Sequence, residues 1–260
     1  MSSSRGPIIL EKLGNVARVT LNRPEKKNAI NFELQAALRA VFDELRNDDS
    51  IRVVMTTGAG DDAYCAGMDV RELLHRHDHP GGAQPPSISP FVRDYPKVTM
   101  AVVNGYALGA GFSLVDGHDL AVASEEKAKF GLPEIMRGFV PKVAIAPLFR
   151  NTSIKWAMEM LLTGENWDAR RAYQAGLVNK VVPHADLQKT ALDWARRIAQ
   201  WDPVTVKYCK KAGYASLDAS TYAQAVEVVA LWQGEEARLN PRSSQGLREF
   251  VGGKGIKADK

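Results

Sequence analysis

The sequence predicts an α/β region of roughly 190 residues followed by a helical C-terminal region. Three observations carry that reading. Two runs, Ile51-Arg-Val-Val-Met-Thr-Thr57 and Val98-Thr-Met-Ala-Val-Val103, are apolar and β-branched at nearly every position, as in strands buried on both faces. Between them and before them the pattern switches to a helical period. From about Ala169 onward the helical period dominates.

Taken in order, Val16-Ala-Arg-Val-Thr-Leu21 alternates and predicts a strand. A helix follows from about Asn31, whose side chain suits the cap, with Leu34, Leu38, Val41, Phe42 and Leu45 in one stripe. The strand Ile51–Thr57 is closed by Gly58-Ala-Gly60. Next, Ala63-Tyr-Cys-Ala-Gly-Met-Asp69 leads into a short helix at Val70–Leu74. His75 to Ser89 is rich in His, Pro and Gly and predicts a surface loop. The strand Val98–Val103, a Gly-rich turn and a helix come next, then a strand at Leu120–Ala123. Leu187–Ala199 is amphipathic. Asp202-Pro203 is a cap plus first-turn proline opening a helix over Val204–Ala215, and Thr221–Leu239 continues the pattern. Gly246 to Lys260 reads as a basic, glycine-rich tail.

Composition excludes several classes. The 260 residues are 45% hydrophobic and 25% charged, close to the soluble average and unlike disordered, collagenous or coiled-coil chains. Lys+Arg is 34 against Asp+Glu 30, an excess too small to indicate nucleic acid and equally suited to an acidic small molecule. Two cysteines, Cys65 and Cys209, exclude a disulfide scaffold and suit the reducing cytoplasm. The N-terminus lacks the apolar core of a signal peptide. Val98–Val115 is apolar but holds three glycines and Asn104, so a strand, turn and helix fit it better than a membrane span.

Three segments carry chemistry. In Cys65-Ala-Gly-Met-Asp69 and in Leu108-Gly-Ala-Gly111, glycine sits at a strand-to-helix turn. Glycine allows close backbone approach, and a helix start presents unpaired N–H donors. Two such donors aimed at one point make an oxyanion hole; each segment alone reads equally as an ordinary tight turn. In Phe130-Gly-Leu-Pro-Glu-Ile135, Glu134 lies between apolar residues that raise a carboxylate pKa, although an acidic residue beside a first-turn proline is also a common helix start. His75, His77 and His79 alternate but lack partners of ligand spacing, so no metal site is expected. His118, beside Asp119 in an apolar setting, reads as structural.

In their order and spacing, the landmarks Leu21-Asn-Arg-Pro-Glu-Lys-Lys-Asn-Ala29, Ala63–Asp69, Val103-Asn-Gly-Tyr-Ala-Leu-Gly-Ala-Gly-Phe112, Asp119, Phe130–Glu134 and Ala175-Gly-Leu-Val-Asn-Lys-Val-Val182 resemble the crotonase (enoyl-CoA hydratase/isomerase) superfamily. The resemblance implies a spiral of ββα turns over residues 1–195 and a helical oligomerisation region over 196–260. It implies an acyl-CoA substrate and no tightly bound cofactor, coenzyme A being part of the substrate. A homotrimer or homohexamer follows, with neither nucleic acid nor membrane as partner. The thioester oxygen would accept from the backbone N–H of Met68 and Ala110, and Glu134 would be the acid–base residue. Arg23, Lys26 and Lys27 would lie near the CoA phosphates, the backbone of Ala66 and Asp69 near the adenine, and Lys254 and Lys257 of the tail within reach of a CoA.

The departures from the family pattern matter as much. Two-carboxylate hydratases carry a glutamate where this chain has Ser113, which orients a water or substrate group but is no general base near neutral pH. Asp116, three residues along, is an alternative partner for Glu134. A single glutamate resembles the enoyl-CoA isomerases and the 4-hydroxycinnamoyl-CoA hydratase-lyases. The two tyrosines those lyases use correspond to Leu73 and to Val228 or Val229 here. An enoyl-CoA hydratase/isomerase is the leading expectation; a CoA lyase or hydrolase and a non-catalytic crotonase-like binding protein are the alternatives.

Overall fold

Residues 2–78 and 88–252 are described by a computed structural model, in which the chain divides into two compact units, Met1–Ile198 and Ala199–Lys260. The first unit begins with β1 (Ser2–Arg5), β2 (Ile8–Leu13) and β3 (Val16–Leu21), an antiparallel meander. Then comes α1 (Phe32–Arg46), started by Asn31, whose side chain accepts from Leu34 N–H at 2.9 Å. Its stripe of Leu34, Leu38, Val41, Phe42 and Leu45 is fully buried.

From here the chain winds three times in the same way, laying a strand in a large sheet, then a strand in a small one, then helix. The first turn is β4 (Val53–Gly58), β5 (Ala63–Cys65), α2 (Val70–Asp78) and α3 (Ile88–Arg93). The second is β6 (Val98–Val103), β7 (Tyr106–Leu108) and α4 (Ala110–Asp116); the third is β8 (Leu120–Ser124), β9 (Lys129–Gly131) and α5 (Lys142–Asn151). After α6 (Ile154–Thr163), β10 (Trp167–Asp168) and α7 (Ala169–Gln174), β11 (Lys180–Val182) returns to the large sheet and α8 (Leu187–Ala199) follows.

The large sheet runs β1-β2-β3-β4-β6-β8-β11 and is parallel from β3 onward; the small one runs β10-β9-β7-β5. Every residue of β4 and β6 is buried, which is why those runs show no alternation. This winding is the ββα spiral that the family resemblance implies.

In the second unit, α9 (Pro203–Asp218) packs on α10 (Tyr222–Leu239), with the Tyr208 and Trp232 rings 6.1 Å apart. Asp202 accepts from Val204 N–H and Thr205 N–H. Asn240 then ties the end of α10 to the start of α9, its amide donating to Asp202 Oδ1 at 3.0 Å and to Thr205 Oγ1 at 2.8 Å. Helix α11 (Pro241–Val251) closes the described chain.

Three expectations need correction. The loop read over His75–Ser89 is helical at both ends, since α2 continues to Asp78 and α3 starts at Ile88; residues 79–87, with His79, lie outside the described residues. The tail from Gly246 is helical to Val251, because its Leu247 and Val251 keep a helical spacing that the glycines obscure. Helix also precedes Ala169, in α5 and α6, and β11 interrupts it afterwards.

Helix α4 ends on a carboxylate with an unusual environment. Asp116 Oδ1 accepts from Asn151 Nδ2 at 2.7 Å, while Oδ2 is buried without a hydrogen-bond partner among the described residues. Burial pushes its pKa up to about 6, the Asn151 bond opposing only part of the rise. A carboxyl that holds its proton more tightly folded than unfolded makes stability fall as pH rises from about 4 to 6. Asp116→Asn is therefore expected to raise Tm by about 3–6 °C at pH 7.5 and by much less at pH 4, measured calorimetrically. Equal shifts at both pH values would contradict this.

Candidate active site

Two backbone segments converge because two side chains are missing. The segment after β5 is held by α1's approach: Ile30 N–H donates to Gly67 O at 2.8 Å and Asp69 N–H donates to Ile30 O at 2.8 Å. With its neighbours' polar groups turned toward Ile30, Met68 in between presents its N–H to the opposite side. The second segment is the start of α4. Gly109 has φ +54° and ψ −119°, a conformation open to glycine but not to residues with a side chain, and it turns the chain from β7 into the helix. Ala110 is the first helical residue, so its N–H has no carbonyl one turn earlier in the helix to bond.

The two segments meet backbone to backbone. Gly67, at φ +107°, leaves room where a Cβ would stand 3.0 Å from Leu108 O and 3.7 Å from Ala110 N. A side chain at Gly111 would collide with the carbonyl of Cys65. The backbone that leads into Met68 is thereby packed against the start of α4.

Glu134 comes to the same place from a third element. It lies in the 3-10 turn Pro133–Arg137 that follows β9. A Cβ at Gly109 would sit 2.7 Å from Glu134 Oε1, so the carboxyl lies directly over the turn that starts α4. Glu134 Oε2 is buried with no hydrogen-bond partner among the described residues. Burial raises its pKa above the ordinary carboxylate value, opposed by the residue's own backbone N–H and by the Arg137 charge. A part-buried carboxylate with a raised pKa and one oxygen without a hydrogen-bond partner among the described residues, set over a helix start, suits proton transfer.

Ser113 stands one turn into α4, buried, its hydroxyl donating to Gly109 O at 3.2 Å. Asp116 is at the far end of α4 and turns to Asn151, so the structure does not bring it to Glu134. Arg23 Nη1 donates to Ala29 O at 2.6 Å and Nη2 to Asp69 Oδ2 at 3.2 Å, so the guanidinium braces the Met68 segment. The Asp69 carboxylate also accepts from Arg71 N–H, and Ala66 N–H donates to Lys27 O at 3.0 Å. Lys26 and Lys27 are exposed beside them, Lys27 Nζ lying 5.5 Å from the centre of the Tyr106 ring. Lys254 and Lys257 lie outside the described residues.

Sequence reasoning missed the two buried amides that hold this region together. Asn28, at φ +54°, donates to Ala59 O and Ala63 O at 3.0 and 2.8 Å, and Asn104 donates to Gly58 O and Gly60 O at 3.0 and 2.8 Å. Both fix the β4–β5 connection that delivers Met68. Asn next to Gly, as in Asn104-Gly105, was the available signal.

The family model described as enoyl-CoA hydratase/isomerase matches residues 11–251. Over 209 residues the chain is 35% identical to the short-chain-enoyl-CoA hydratase of Clostridium acetobutylicum, covering 79% of this chain and 80% of that one. It is 31% identical over 257 residues to the hydroxycinnamoyl-CoA hydratase-lyase of Pseudomonas fluorescens, covering 93% and 91%. Among solved structures, an enoyl-CoA hydratase/isomerase from Mycobacterium paratuberculosis superposes with a TM-score of 0.84 at 31% identity, covering 95% of this chain and 96% of the other. Fold, converging segments and relatives agree, and the chain belongs to the enoyl-CoA hydratase/isomerase family.

Proposed function

We propose that the protein moves a proton along the acyl chain of an enoyl-CoA thioester, with Glu134 as the single acid–base residue. The observation that supports this is the Glu134 carboxyl lying over Gly109 at the start of α4, with one oxygen buried and without a hydrogen-bond partner among the described residues. The thioester oxygen accepts from both N–H groups, which stabilises the enolate formed when a carbon-bound proton leaves. Glu134 takes that proton and returns it at another carbon of the conjugated system, shifting the double bond. Such a donor is worth about 3–4 kcal/mol of barrier. The same parts add water at the β-carbon only with help in activating the water, and Ser113, its hydroxyl turned to Gly109 O, supplies no second carboxylate. The relative named hydroxycinnamoyl-CoA hydratase-lyase suggests carbon–carbon cleavage as a second reading. Leu73, where such lyases carry a phenol-holding tyrosine by the resemblance, disfavours it.

Coenzyme A enters as part of the substrate, with exposed Lys26 and Lys27 near its phosphates. A homotrimer or homohexamer is the proposed assembly. Helix α10 leaves Tyr222, Val226 and Leu231 exposed at 86%, 50% and 73%, more apolar surface than a lone helix pair ordinarily shows water. Sedimentation equilibrium at micromolar concentration is expected to give three or six chains; a monomer would refute the assembly.

Glu134→Gln is expected to keep the fold and the affinity for CoA and to lose about 10²–10⁴-fold in turnover of the best acyl-CoA in a panel with product identification. Near wild-type turnover would remove Glu134 from the reaction. Because the working form of Glu134 is the carboxylate and its pKa is raised, activity falls as pH drops through a value above the usual carboxylate range. That acid limb disappears with the Gln variant.

Crotonyl-CoA hydration is expected to be slow beside a two-glutamate relative, and Ser113→Glu to speed it. A fast wild type, unimpaired in Ser113→Ala, would show that another residue activates water.

A further inference from the structure

A buried polar chain lies outside the groups that would touch substrate. Tyr64 OH and Thr56 Oγ1 are 2.7 Å apart, Thr56 Oγ1 and His118 Nε2 2.8 Å, and His118 Nδ1 and Leu114 O 2.6 Å. Thr56 and Tyr64 are wholly buried and His118 nearly so. The last contact sets the direction of the rest. A carbonyl only accepts, so Nδ1 carries a proton; in the neutral ring Nε2 accepts from Thr56, and Thr56 accepts from Tyr64. Each hydroxyl and both ring nitrogens are thereby used.

What the chain joins is specific. Leu114 O belongs to the last turn of α4, the helix whose first residue is Ala110. Tyr64 is the middle residue of β5, four residues before Met68. Thr56, in the fully buried β4, is the common anchor. At the other end of α4 the contacts with the β5 segment are close backbone approaches at Gly67 and Gly111. The β5–β7 pairing holds the strand that leads into Ala110, and the polar chain ties the other end of the helix to the same β5. A rigid seven-residue helix tethered at its far end cannot slide along or away from β5.

Resting on the two-amide reading proposed above, we infer that His118, Thr56 and Tyr64 are positioning residues that set the spacing between the Met68 and Ala110 N–H groups. Loss of a whole oxyanion donor costs about 10²–10³-fold, and a displaced donor costs part of that. A chain serving stability alone would lower Tm and leave the polarisation of a bound carbonyl unchanged.

The test measures that polarisation. Crotonyl-CoA labelled with ¹³C at the thioester carbonyl is bound at saturation to the Glu134→Gln protein, which blocks turnover. The carbonyl stretch is read by difference infrared spectroscopy, alone and combined with Thr56→Val, Tyr64→Phe or His118→Gln. In the Glu134-intact background the same three changes are assayed for turnover and for affinity toward free CoA. The expected result is a downshifted stretch in the parent, a shift about half as large with Thr56→Val and Tyr64→Phe, turnover at least tenfold lower, and CoA affinity within twofold of the parent. If His118→Gln does not fold, Tyr64→Phe, which removes a single oxygen, decides alone. A full shift with turnover within threefold of wild type, whatever the change in Tm, overturns the inference. No downshift in the parent overturns instead the two-amide reading on which it rests.

Discussion

The site depends on a close approach between two stretches of backbone. The carbonyl of Cys65 occupies the space a side chain at Gly111 would need, and Gly67 lies against Leu108 O and Ala110 N. Two main chains can come this near only where Cβ atoms are absent. The β5 end and the α4 start are then packed directly against each other. In the proposed reaction backbone groups do the binding, so the geometry would follow from where the chain runs, with Ala110 serving as well as glycine.

Around that contact the molecule spends buried polar groups on holding loops still. Asn28 and Asn104 satisfy four carbonyls of the β4–β5 connection, and Arg23 clamps Asp69 and Ala29 O. Each is a buried or half-buried group bonded to more than one segment, the arrangement that fixes one backbone path among many. Glu134 and Asp116 depart from this rule, since each has one carboxyl oxygen buried without a hydrogen-bond partner among the described residues. Burial raises both pKa values, but the two have opposite settings along α4. Glu134 stands over the helix start, where the unpaired N–H groups of a helix lie. Asp116 sits at the C-terminal end, where the partial negative charge of the helix works against a carboxylate.

What the sequence made legible follows from length and burial. β3 and β6 match their expected limits, and α1 its cap, because long elements with one or two buried faces leave a periodic or continuous apolar signal. The small sheet was invisible: β5, β7 and β9 have three residues and β10 two, too few for a period. The His-rich stretch hid helix in α2, since its polar residues match a loop composition as well as a solvated helix face. In the site, the Gly-containing turns and Glu134 were readable as motifs, but their convergence came only from the family resemblance, because it joins segments separated by whole strands and helices. Arg23 was read from the resemblance by its charge alone; its bonds to Asp69 and Ala29 within the chain left no signal in the sequence. His118 read as structural, and its bonds run to Thr56 and Leu114 O within the chain, partners the sequence did not show.

The central claim is that one carbonyl oxygen sits between the Met68 and Ala110 amides with Glu134 at its α-carbon side. A crystal structure with a bound, slowly reacting acyl-CoA tests it most directly. The account predicts the thioester oxygen about 2.7–3.1 Å from both backbone nitrogens, with a Glu134 carboxyl oxygen in contact with the carbon chain next to the carbonyl. A thioester bound with its oxygen away from either amide, or with Glu134 turned from the acyl chain, would contradict it.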